Sequence, residues 1–505
     1  MKKIVIVGSG INGLVAANYL AKEKYDVTII EKKNHTGGAC IKDSTIINDK
    51  EIDFAHGPTV LGMMPDFIFS ETGLDKLIKT FCPKTPKLVY FPNAEKSTKI
   101  FQDDKQLDIE LKKEWGEKGD TIGFRNDESK VINFIQHIYK NAISPSIDYA
   151  NRFLGKDLTD LWIRGSAKDL LNKYFTSEKT KLYMGMTVIE SGPASINEPG
   201  TAFTIPLMDS GSVFNGYWGY VKTGIWKITE CLTKINRNLG INFSLNSDIE
   251  DINTSSGIIS YTSDGVKNQL NYDHLIFATD PKVPGELLNN KKIQSENSKL
   301  NYLGTSGKVT AFFKNPVKWI ESNKNPEYDT SFRFFFSTNT LEEFENASQN
   351  ASNKLKDYCP GYIQVYTEGG AQRKMNNIEH LDKIILFTKN LSFDKSANEI
   401  EDVKNQIISR VISHIKNPED LVFSKFLTPK DLNETFYFPE GNIDHITLDG
   451  NQNFDKRSFS SKTNSFYKYY DFENIYYCGA GSFPCGSVAG TPGYMCAKQL
   501  IKTIS

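Results

Sequence analysis

The feature that most constrains this chain is a glycine pattern near its start, Gly8-Ser9-Gly10-Ile11-Asn12-Gly13. It follows the apolar run Lys3 to Val7, which is typical of a strand buried on both faces of a parallel sheet. The residues from Ile11 to Lys22 have helical spacing, and Asp26 to Glu31 has the β-branched content of a second strand. The pattern therefore predicts a βαβ unit whose crossover is right-handed.

Each glycine of this pattern has a separate physical role. Gly8 permits the tight turn from strand to helix, Gly10 lets a pyrophosphate approach the backbone, and Gly13 allows the helix to pack closely on the strand. The helix N-terminus, with Ser9 and Asn12 in the same turn, supplies N–H donors and a positive dipole end for phosphates. We therefore expect these five residues to form the phosphate end of a dinucleotide site.

The residues after the second strand indicate which dinucleotide binds. Glu31 lies 18 residues after Gly13, where its carboxylate can accept hydrogen bonds from ribose hydroxyls, with Lys32 beside it. An acid there would repel the additional phosphate of NADP. The glycine pair that begins six residues later, Gly37-Gly38, followed by Ala39, resembles the continuation found in FAD enzymes of the glutathione-reductase and amine-oxidase type. Small residues let the extended cofactor lie against the backbone, so FAD is favoured over NAD.

A third motif lies near the end of the chain, from Tyr477 to Gly490. A predicted buried strand leads into a glycine-rich loop and then into another helix. The dipole of that helix suits the pyrimidine edge of a flavin, which gains negative charge on reduction. We expect Gly479, Ala480, Ser487 and Val488 to lie at the flavin; a purely structural helix start is the alternative.

Composition narrows the class of protein. With 505 residues the chain is too long for one core, and its net charge of −1 gives no general attraction to nucleic acid. The seven cysteines form no C-x-x-C pair, which argues against a disulfide framework or a zinc site and favours a reducing, cytoplasmic compartment. No metal site is expected. The apolar stretch from Met1 to Ala21 is similar to a signal peptide, but its glycine spacing favours the βαβ unit. No segment predicts a transmembrane helix, and peripheral membrane contact stays open.

The order of patterns predicts two interleaved domains. An FAD-binding α/β domain comprises residues 1–75, 215–285 and 465–505. A mixed α+β substrate domain, inserted twice, comprises residues 76–214 and 286–464. Within the second domain, helical patterns extend from Leu158 to Tyr174 and from Glu399 to Ile415. The oligomeric state is not predicted.

Several segments together resemble the phytoene desaturase and carotenoid isomerase superfamily of FAD-dependent oxidoreductases, closest to its phytoene-dehydrogenase-related branch. The N-terminal signature Asn12 to Ala21 and Gly37-Gly38-Ala39 carry the resemblance, as do Gly57 to Val60, Pro199 to Phe203 and Gly216 to Val221. Asp248 to Ile252, with Ile249, is similar to the segment on the adenine side. Phe277 to Pro281, with Ala278, and the C-terminal loop complete the likeness, which leaves gaps at residues 100–185 and 290–465.

The resemblance implies a Rossmann-type FAD domain with a substrate domain and a small apolar substrate. Its reaction would be carbon–carbon desaturation or double-bond isomerisation of an isoprenoid or lipid, with an electron acceptor that is unknown. An amine or amino-acid oxidase and a flavoprotein that mainly binds a partner are the alternatives. Two departures bear on the substrate: Cys485 and Ser487 replace family glycines, and Lys222-Thr223-Gly224-Ile225 stands where the family has Gly-Gly-Met-Gly.

Two residues are candidates for catalysis itself. His56 precedes Gly57 near the expected flavin face and could act as an acid or base, although a hydrogen-bonded turn histidine is the simpler interpretation. Cys485 lies in the predicted flavin loop and could be a redox thiol or a covalent flavin anchor. A small residue filling a glycine position is again the simpler interpretation. The catalytic residues otherwise stay unknown.

Overall fold

The computed structural model describes residues 1–94, 96–323, 325–352, 358–394, 396–461 and 466–504. Its strands are β1 (Lys3–Val7), β2 (Asp26–Ile30), β3 (Lys42–Ile47), β4 (Lys50–Ala55), β5 (Thr80–Phe81), β6 (Lys87–Tyr90), β7 (Thr98–Ile100), β8 (Tyr220–Val221), β9 (Asn242–Ser244), β10 (Ser247–Asn253), β11 (Ile258–Ser263), β12 (Val266–Asn271), β13 (His274–Phe277), β14 (Gly307–Phe313), β15 (Arg333–Phe336), β16 (Tyr362–Tyr366), β17 (Asp382–Thr388), β18 (Leu421–Leu427) and β19 (Ile475–Tyr477).

Helices connect these strands and cover both domains. They are α1 (Ile11–Lys22), α2 (Asp66–Glu71), α3 (Asp104–Trp115), α4 (Thr121–Asn141), α5 (Ile147–Leu154), α6 (Lys156–Leu158), α7 (Ala167–Tyr174), α8 (Glu178–Gly185), α9 (Thr204–Met208), α10 (Lys227–Asn238), α11 (Lys282–Leu287), α12 (Lys291–Asn297), α13 (Leu341–Ser352), α14 (Glu368–Lys374), α15 (Ala397–Ile412), α16 (Pro429–Phe436) and α17 (Thr491–Ile504). Among the helices within the described ranges, none has both the length and the apolarity needed to cross a membrane.

The first sheet is parallel and has five strands in the order β19-β13-β1-β2-β9. Its central strands are buried, as the continuous apolar runs predicted. Because the strands are parallel, their carboxyl ends lie at one edge. That edge therefore brings together residues far apart in sequence, namely Gly8, Glu31, Ala278 and Gly479. The Rossmann-type fold class is confirmed.

A second sheet has seven strands in the order β18-β14-β17-β16-β15-β6-β7. Its neighbours are antiparallel except β15 and β6, which are parallel. All strands of the first sheet lie in the segments predicted for the FAD-binding domain, and all strands of the second lie in those predicted for the substrate domain. The exact boundaries stay a prediction.

The two domains share apolar contacts. The β3–β4 hairpin, which sequence reasoning did not identify, belongs to the first domain. Its residues Ile52 and Phe54 pack against Phe312 of β14, with the rings of Phe54 and Phe312 at 5.5 Å. This contact joins the hairpin to the second sheet.

The prediction of one continuous helix in the second domain is wrong. The pattern from Leu158 to Tyr174 is divided into α6, a π-helical turn at Thr159–Ile163, and α7. The π-helical turn ends at Ile163, and Ser166 begins α7, because its side chain accepts a hydrogen bond from the backbone N–H of Asp169 and so caps that helix. Local capping therefore overrides a periodicity that extends across the break.

Candidate functional site

The turn between β1 and α1 needs its glycines. Gly8 has φ +100°, and a Cβ on it would lie 2.9 Å from the carbonyl oxygen of Ala278. A Cβ on Gly13 would lie 2.2 Å from the carbonyl oxygen of Gly8. Gly10, by contrast, has an ordinary backbone (φ −65°, ψ 176°), and its Cβ would meet no atom nearer than 4.0 Å. The protein alone therefore has room for a side chain at Gly10, which is the space that a phosphate would use.

Glu31 is held at the end of β2 by the same turn. Its carboxylate accepts hydrogen bonds from the backbone N–H of Ser9 at 2.8 Å, the Ser9 hydroxyl at 2.7 Å and the backbone N–H of Lys33 at 2.9 Å. These bonds fix the direction of a charged acceptor beside the glycine turn. Lys32 points to the surface, where its ammonium lies 3.5 Å from Asp248.

The Gly37-Gly38 loop is built directly against the first turn. Both residues have positive φ, +115° and +61°, and Gly37 donates a backbone hydrogen bond to the carbonyl of Ser9 at 2.9 Å. A Cβ on Gly38 would lie 3.0 Å from the Cα of Gly10. The two loops therefore form facing backbone walls with no side chain between them.

These walls enclose a large cavity of about 600 Å³, which we call the cofactor cavity. All of the predicted cofactor-binding residues except Gly13 and Gly479 line it. They are Gly8, Ser9, Gly10, Asn12, Glu31, Lys32, Gly38, Ala39, Ile249, Ala278, Ala480, Ser487 and Val488. Gly13 and Gly479 lie behind the wall, where each allows close packing; a Cβ on Gly479 would lie 2.0 Å from the carbonyl oxygen of Thr279.

The C-terminal loop is held rigidly at the other end of this cavity. Asp444 accepts a hydrogen bond from the backbone N–H of Gly486 at 2.8 Å, and the fully buried Arg457 donates to the carbonyl of Ala480 at 3.1 Å. Ser487 and Val488 both have left-handed backbones, with φ +62° and +57°. Such conformations are unfavourable for residues with a Cβ and occur where the surroundings enforce them.

Segments predicted for the substrate domain supply the remaining wall. Apolar residues around α16 close the cavity, namely Leu427, Leu432, Phe436, Tyr437, Phe438 and Ile443. His445 lies among them, and burial lowers its pKa to about 3, so it is neutral at physiological pH. Sequence reasoning missed these residues because no local motif marks them; only the tertiary contact brings them to the cavity.

Lys308 of β14 is a further residue of this wall that the sequence did not reveal. Its ammonium donates to the carbonyls of Ala55 and Gly57, both at 2.6 Å, next to the turn that the family resemblance placed near the flavin. Burial lowers the pKa of Lys308, partly opposed by the negative charge of Glu368. The lysine therefore fixes the Gly57 turn and can gain or lose a proton near neutral pH.

The two catalytic candidates do not line the cofactor cavity. His56 lies 3.6 Å from the carboxylate of Asp43 and packs its ring on Phe436. Burial lowers the pKa of His56 to about 4, which leaves it uncharged at neutral pH. Cys485 is fully buried, and burial raises the pKa of its thiol well above the usual range. Both roles stay predictions; all seven cysteines carry free thiols.

A second cavity of about 420 Å³ lies between the helical layer and the seven-stranded sheet. It shares Glu190, Trp218 and Tyr366 with the cofactor cavity, so the two spaces meet at these three side chains. The carboxylate of Glu190 accepts the hydroxyl of Tyr362 at 2.9 Å and pairs with the ammonium of Lys389 at 3.0 Å. A buried carboxylate thus lies at the junction.

Lys389 is fully buried, with its ammonium 3.6 Å from the ring centre of Phe387. Burial lowers the pKa of Lys389 to about 8, although its attraction to Glu190 acts in the opposite direction. The pair gives the junction a buried carboxylate whose charge is balanced by an ammonium. No sequence motif identified it, because Glu190 and Lys389 are 199 residues apart.

The residues at the first turn fit the adenosine and pyrophosphate end of a dinucleotide. A helix N-terminus, two glycine walls and an oriented acid converge on one cavity, as such a ligand requires. The strained C-terminal loop and the apolar wall around α16 lie in the same cavity, where a planar, mostly apolar ring system would be enclosed.

Comparisons with known proteins agree with this geometry. Residues 6–66 match a family model described as an NAD(P)-binding Rossmann-like domain. Over 267 residues, half of this chain, the sequence is 27% identical to 4,4'-diapophytoene desaturase (4,4'-diaponeurosporene-forming) of Staphylococcus aureus strain COL. The protein of strain Newman is equally similar. The matched region covers 49% of these curated relatives, so the chain spans about half of their length.

Solved structures are similar over the whole chain. Putrescine oxidase bound to putrescine has a TM-score of 0.61 at 14% identity, covering all of this chain and 98% of that one. Cyclohexylamine oxidase from Brevibacterium oxydans has a TM-score of 0.58 at 12% identity, covering all of this chain and 98% of its own. At these identities the likeness establishes the fold, which is that of amine-oxidase-type proteins.

Proposed function

We propose that this chain, a member of the FAD-dependent oxidoreductase superfamily with phytoene desaturase relatives, binds FAD and desaturates or isomerises an isoprenoid or lipid-like substrate. The observation that carries the proposal is the meeting of two cavities at Glu190, Trp218 and Tyr366. One cavity suits a dinucleotide, and the other ends beside the place where its ring system would lie. A substrate carbon in the second cavity would thus lie next to a flavin in the first.

The curated relatives support the type of reaction. They are named as desaturases of 4,4'-diapophytoene, and their similarity extends over half of this chain. Apolar side chains of the second cavity, such as Ile132, Ile205 and Met208, are consistent with a hydrocarbon segment. The amine-oxidase-like structures supply the fold and keep amine oxidation as the second candidate.

In this proposal, residues at the two ends of the cofactor cavity bind different parts of FAD. Ser9, Gly10 and Asn12 would hold the pyrophosphate and Glu31 the adenosine ribose. Gly486 to Val488 and the α16 wall would enclose the flavin ring. The bound flavin would supply the two-electron acceptor for a hydride from the substrate.

Desaturation also requires that a proton leave the neighbouring carbon. Glu190 is placed to accept it, since this residue lines both cavities and the contacts of its carboxylate with Lys389 and Tyr362 hold it in position. Lys389 stabilises the carboxylate before the transfer and can itself lose a proton, because burial lowers its pKa to about 8. In an isomerisation the same carboxylate would remove and return one proton.

The test is anaerobic mixing of the FAD-loaded protein with a panel that comprises an isoprenoid polyene, an unsaturated fatty acid, several amines and NADH. Loss of flavin absorbance with the polyene, and a product two hydrogens lighter, are expected. An altered double bond without loss of absorbance would identify an isomerase. Bleaching by an amine alone would establish the second candidate. No reaction with any compound would favour a mainly partner-binding flavoprotein.

Glu190→Gln tests the proton step because the amide cannot accept a proton. We expect flavin reduction by the productive substrate to slow about a hundredfold or more while substrate binding persists. Glu230→Gln is the matched control, since Glu230 pairs with Lys227 on the surface of α10. The double variant Glu190→Gln/Lys389→Met removes the pair without leaving a buried charge. Unchanged reduction rates in both Glu190 variants would exclude the proposed role.

A further inference from the structure

The second cavity contains charged side chains as well as apolar ones. Lys87 is on β6, Arg125 and Glu128 are on α4, and Asp209 follows α9. All four line the cavity. A site for a pure hydrocarbon has no use for such groups, because each loses hydration when the hydrocarbon displaces water.

Two of the four neutralise each other. Arg125 donates to the carboxylate of Glu128, and it also reaches Asp104 at 3.1 Å near the surface. Glu128 is 2% exposed, and burial raises its pKa despite the attraction of Arg125. This part of the set is a satisfied ion pair that forms one wall of the cavity.

Lys87 and Asp209 are different, because they do not pair directly. Within the described part of the chain, no ion pair joins them, and the Asp209 carboxylate accepts no hydrogen bond from the protein. Burial lowers the pKa of Lys87, but Tyr183 and Asp209 outweigh this and raise it. Burial raises the pKa of Asp209, opposed by Lys87 and Arg125. Lys87, which has Tyr183 as a hydrogen-bond partner, and Asp209 therefore line one cavity as a donor and an acceptor that are not bonded to each other.

We infer that the substrate is amphiphilic and that its end group is an uncharged hydroxyl held between Lys87 and Asp209. A hydroxyl accepts a hydrogen bond from an ammonium and donates one to a carboxylate, so one oxygen satisfies both groups. The inference rests on the proposed function, since it names the substrate of that same cavity.

The charge balance selects an uncharged group. Lys87 and Arg125 carry two positive charges, and Glu128 and Asp209 supply the opposing carboxylates. Because the two cations and the two carboxylates balance, a charged end group would gain no net attraction from the set and would lose its hydration on burial. A hydroxyl leaves the balance unchanged. The apolar part of such a substrate would extend along Met184, Met186 and Ile205 towards the junction at Glu190.

The experiment measures binding to the FAD-loaded protein by equilibrium dialysis with four ten-carbon isoprenoid probes. They are geraniol, geranic acid, geranylamine and the hydrocarbon 2,6-dimethyl-2,6-octadiene. We expect geraniol to bind at least about tenfold more tightly than the other three, which is the effect of one hydrogen bond to a charged group. Equal binding of the hydrocarbon, or tighter binding of the acid or the amine, would overturn the inference.

Two variants locate the effect. Asp209→Asn and Lys87→Met are each expected to weaken geraniol binding about tenfold and to leave hydrocarbon binding unchanged or stronger. Lys130→Met is the matched control, because Lys130 is on the outer face of α4, 61% exposed, and pairs with Asp127. Hydrocarbon binding by each variant shows that it is folded. A loss of geraniol binding in the control alone, or in neither variant, would contradict the placement.

The two proposals can fail separately. A preference for geraniol without any desaturated or isomerised product would retain the hydroxyl site and reject the proposed reaction. Turnover of a polyene hydrocarbon without a preference for geraniol would support the proposed reaction and reject the hydroxyl site.

Discussion

Gly10→Ala should weaken FAD binding while leaving the stability of the cofactor-free protein almost unchanged. Gly10 has an ordinary backbone and caps α1. Loss of glycine at an N-cap costs roughly 0.5–1 kcal/mol, and the lower entropy of an unfolded chain with alanine returns roughly 0.4–1 kcal/mol. The new methyl group meets only the Cα of Gly38, at 4.0 Å. The free energy of unfolding of the cofactor-free protein should therefore change by less than about 0.5 kcal/mol.

FAD binding should respond quite differently. The methyl group occupies the space between the two glycine walls, so a pyrophosphate would have to move away from the N-terminus of α1. Loss of one or two hydrogen bonds to a charged phosphate corresponds to about 3 kcal/mol, or roughly a hundredfold in the dissociation constant. Titration of the cofactor-free protein with FAD, followed by flavin fluorescence, measures this change. Urea unfolding measures the stability.

Gly13→Ala is the matched control. Its Cβ would lie 2.2 Å from the carbonyl oxygen of Gly8, so the backbone must move and the unfolding free energy should fall by about 1–3 kcal/mol. The reasoning is refuted if Gly10→Ala binds FAD as tightly as the unaltered protein. It is equally refuted if the cofactor-free Gly10→Ala protein is destabilised as much as Gly13→Ala.

Three other predictions follow from the cofactor cavity. Ser487→Gly should raise the unfolding free energy, measured by urea unfolding, by roughly 0.5–1 kcal/mol, because relief of the φ of +62° exceeds the entropy that glycine adds to the unfolded chain; a decrease would contradict this. Between neutral pH and the ordinary lysine value of 10.5, Lys308 should contribute a positive slope to the unfolding free energy against pH, because burial lowers its pKa and the unfolded chain binds more protons at this residue. Lys308→Met should flatten that slope, and an unchanged slope would exclude the lysine as its cause. Arg457→Lys should lower the unfolding free energy by about 2–4 kcal/mol, because lysine cannot reach the carbonyls of both Asp444 and Ala480. Unaltered stability of this variant would show that these hydrogen bonds are dispensable.

The first domain could be predicted well because its signals are local. Gly8, Gly13 and Glu31 act within one βαβ unit, and the buried strand β13 is a continuous apolar run. Parallel pairing then places Ala278 and Gly479 at the same edge without further information. Short stretches of sequence therefore determine the backbone geometry that a dinucleotide requires.

The second domain could not be predicted to the same degree because its contacts are distant. Glu190 and Lys389 form a pair across 199 residues, and Lys308 reaches the Gly57 turn across 251. A single sequence contains no sign of such pairs. The capping role of Ser166 was a local signal that the longer helical period obscured.

The way the cofactor cavity is assembled has a consequence for biosynthesis. Residues 7–60 form one wall, and the loop from Ala480 to Val488 forms another. A chain emerging from the ribosome would thus present the phosphate turn before this loop and could not enclose a flavin until the loop had been made. Loading with the proposed cofactor would therefore require that the loop from Ala480 to Val488 has been made. A chain shortened before Ala480 should remain without cofactor and be removed by cellular proteases.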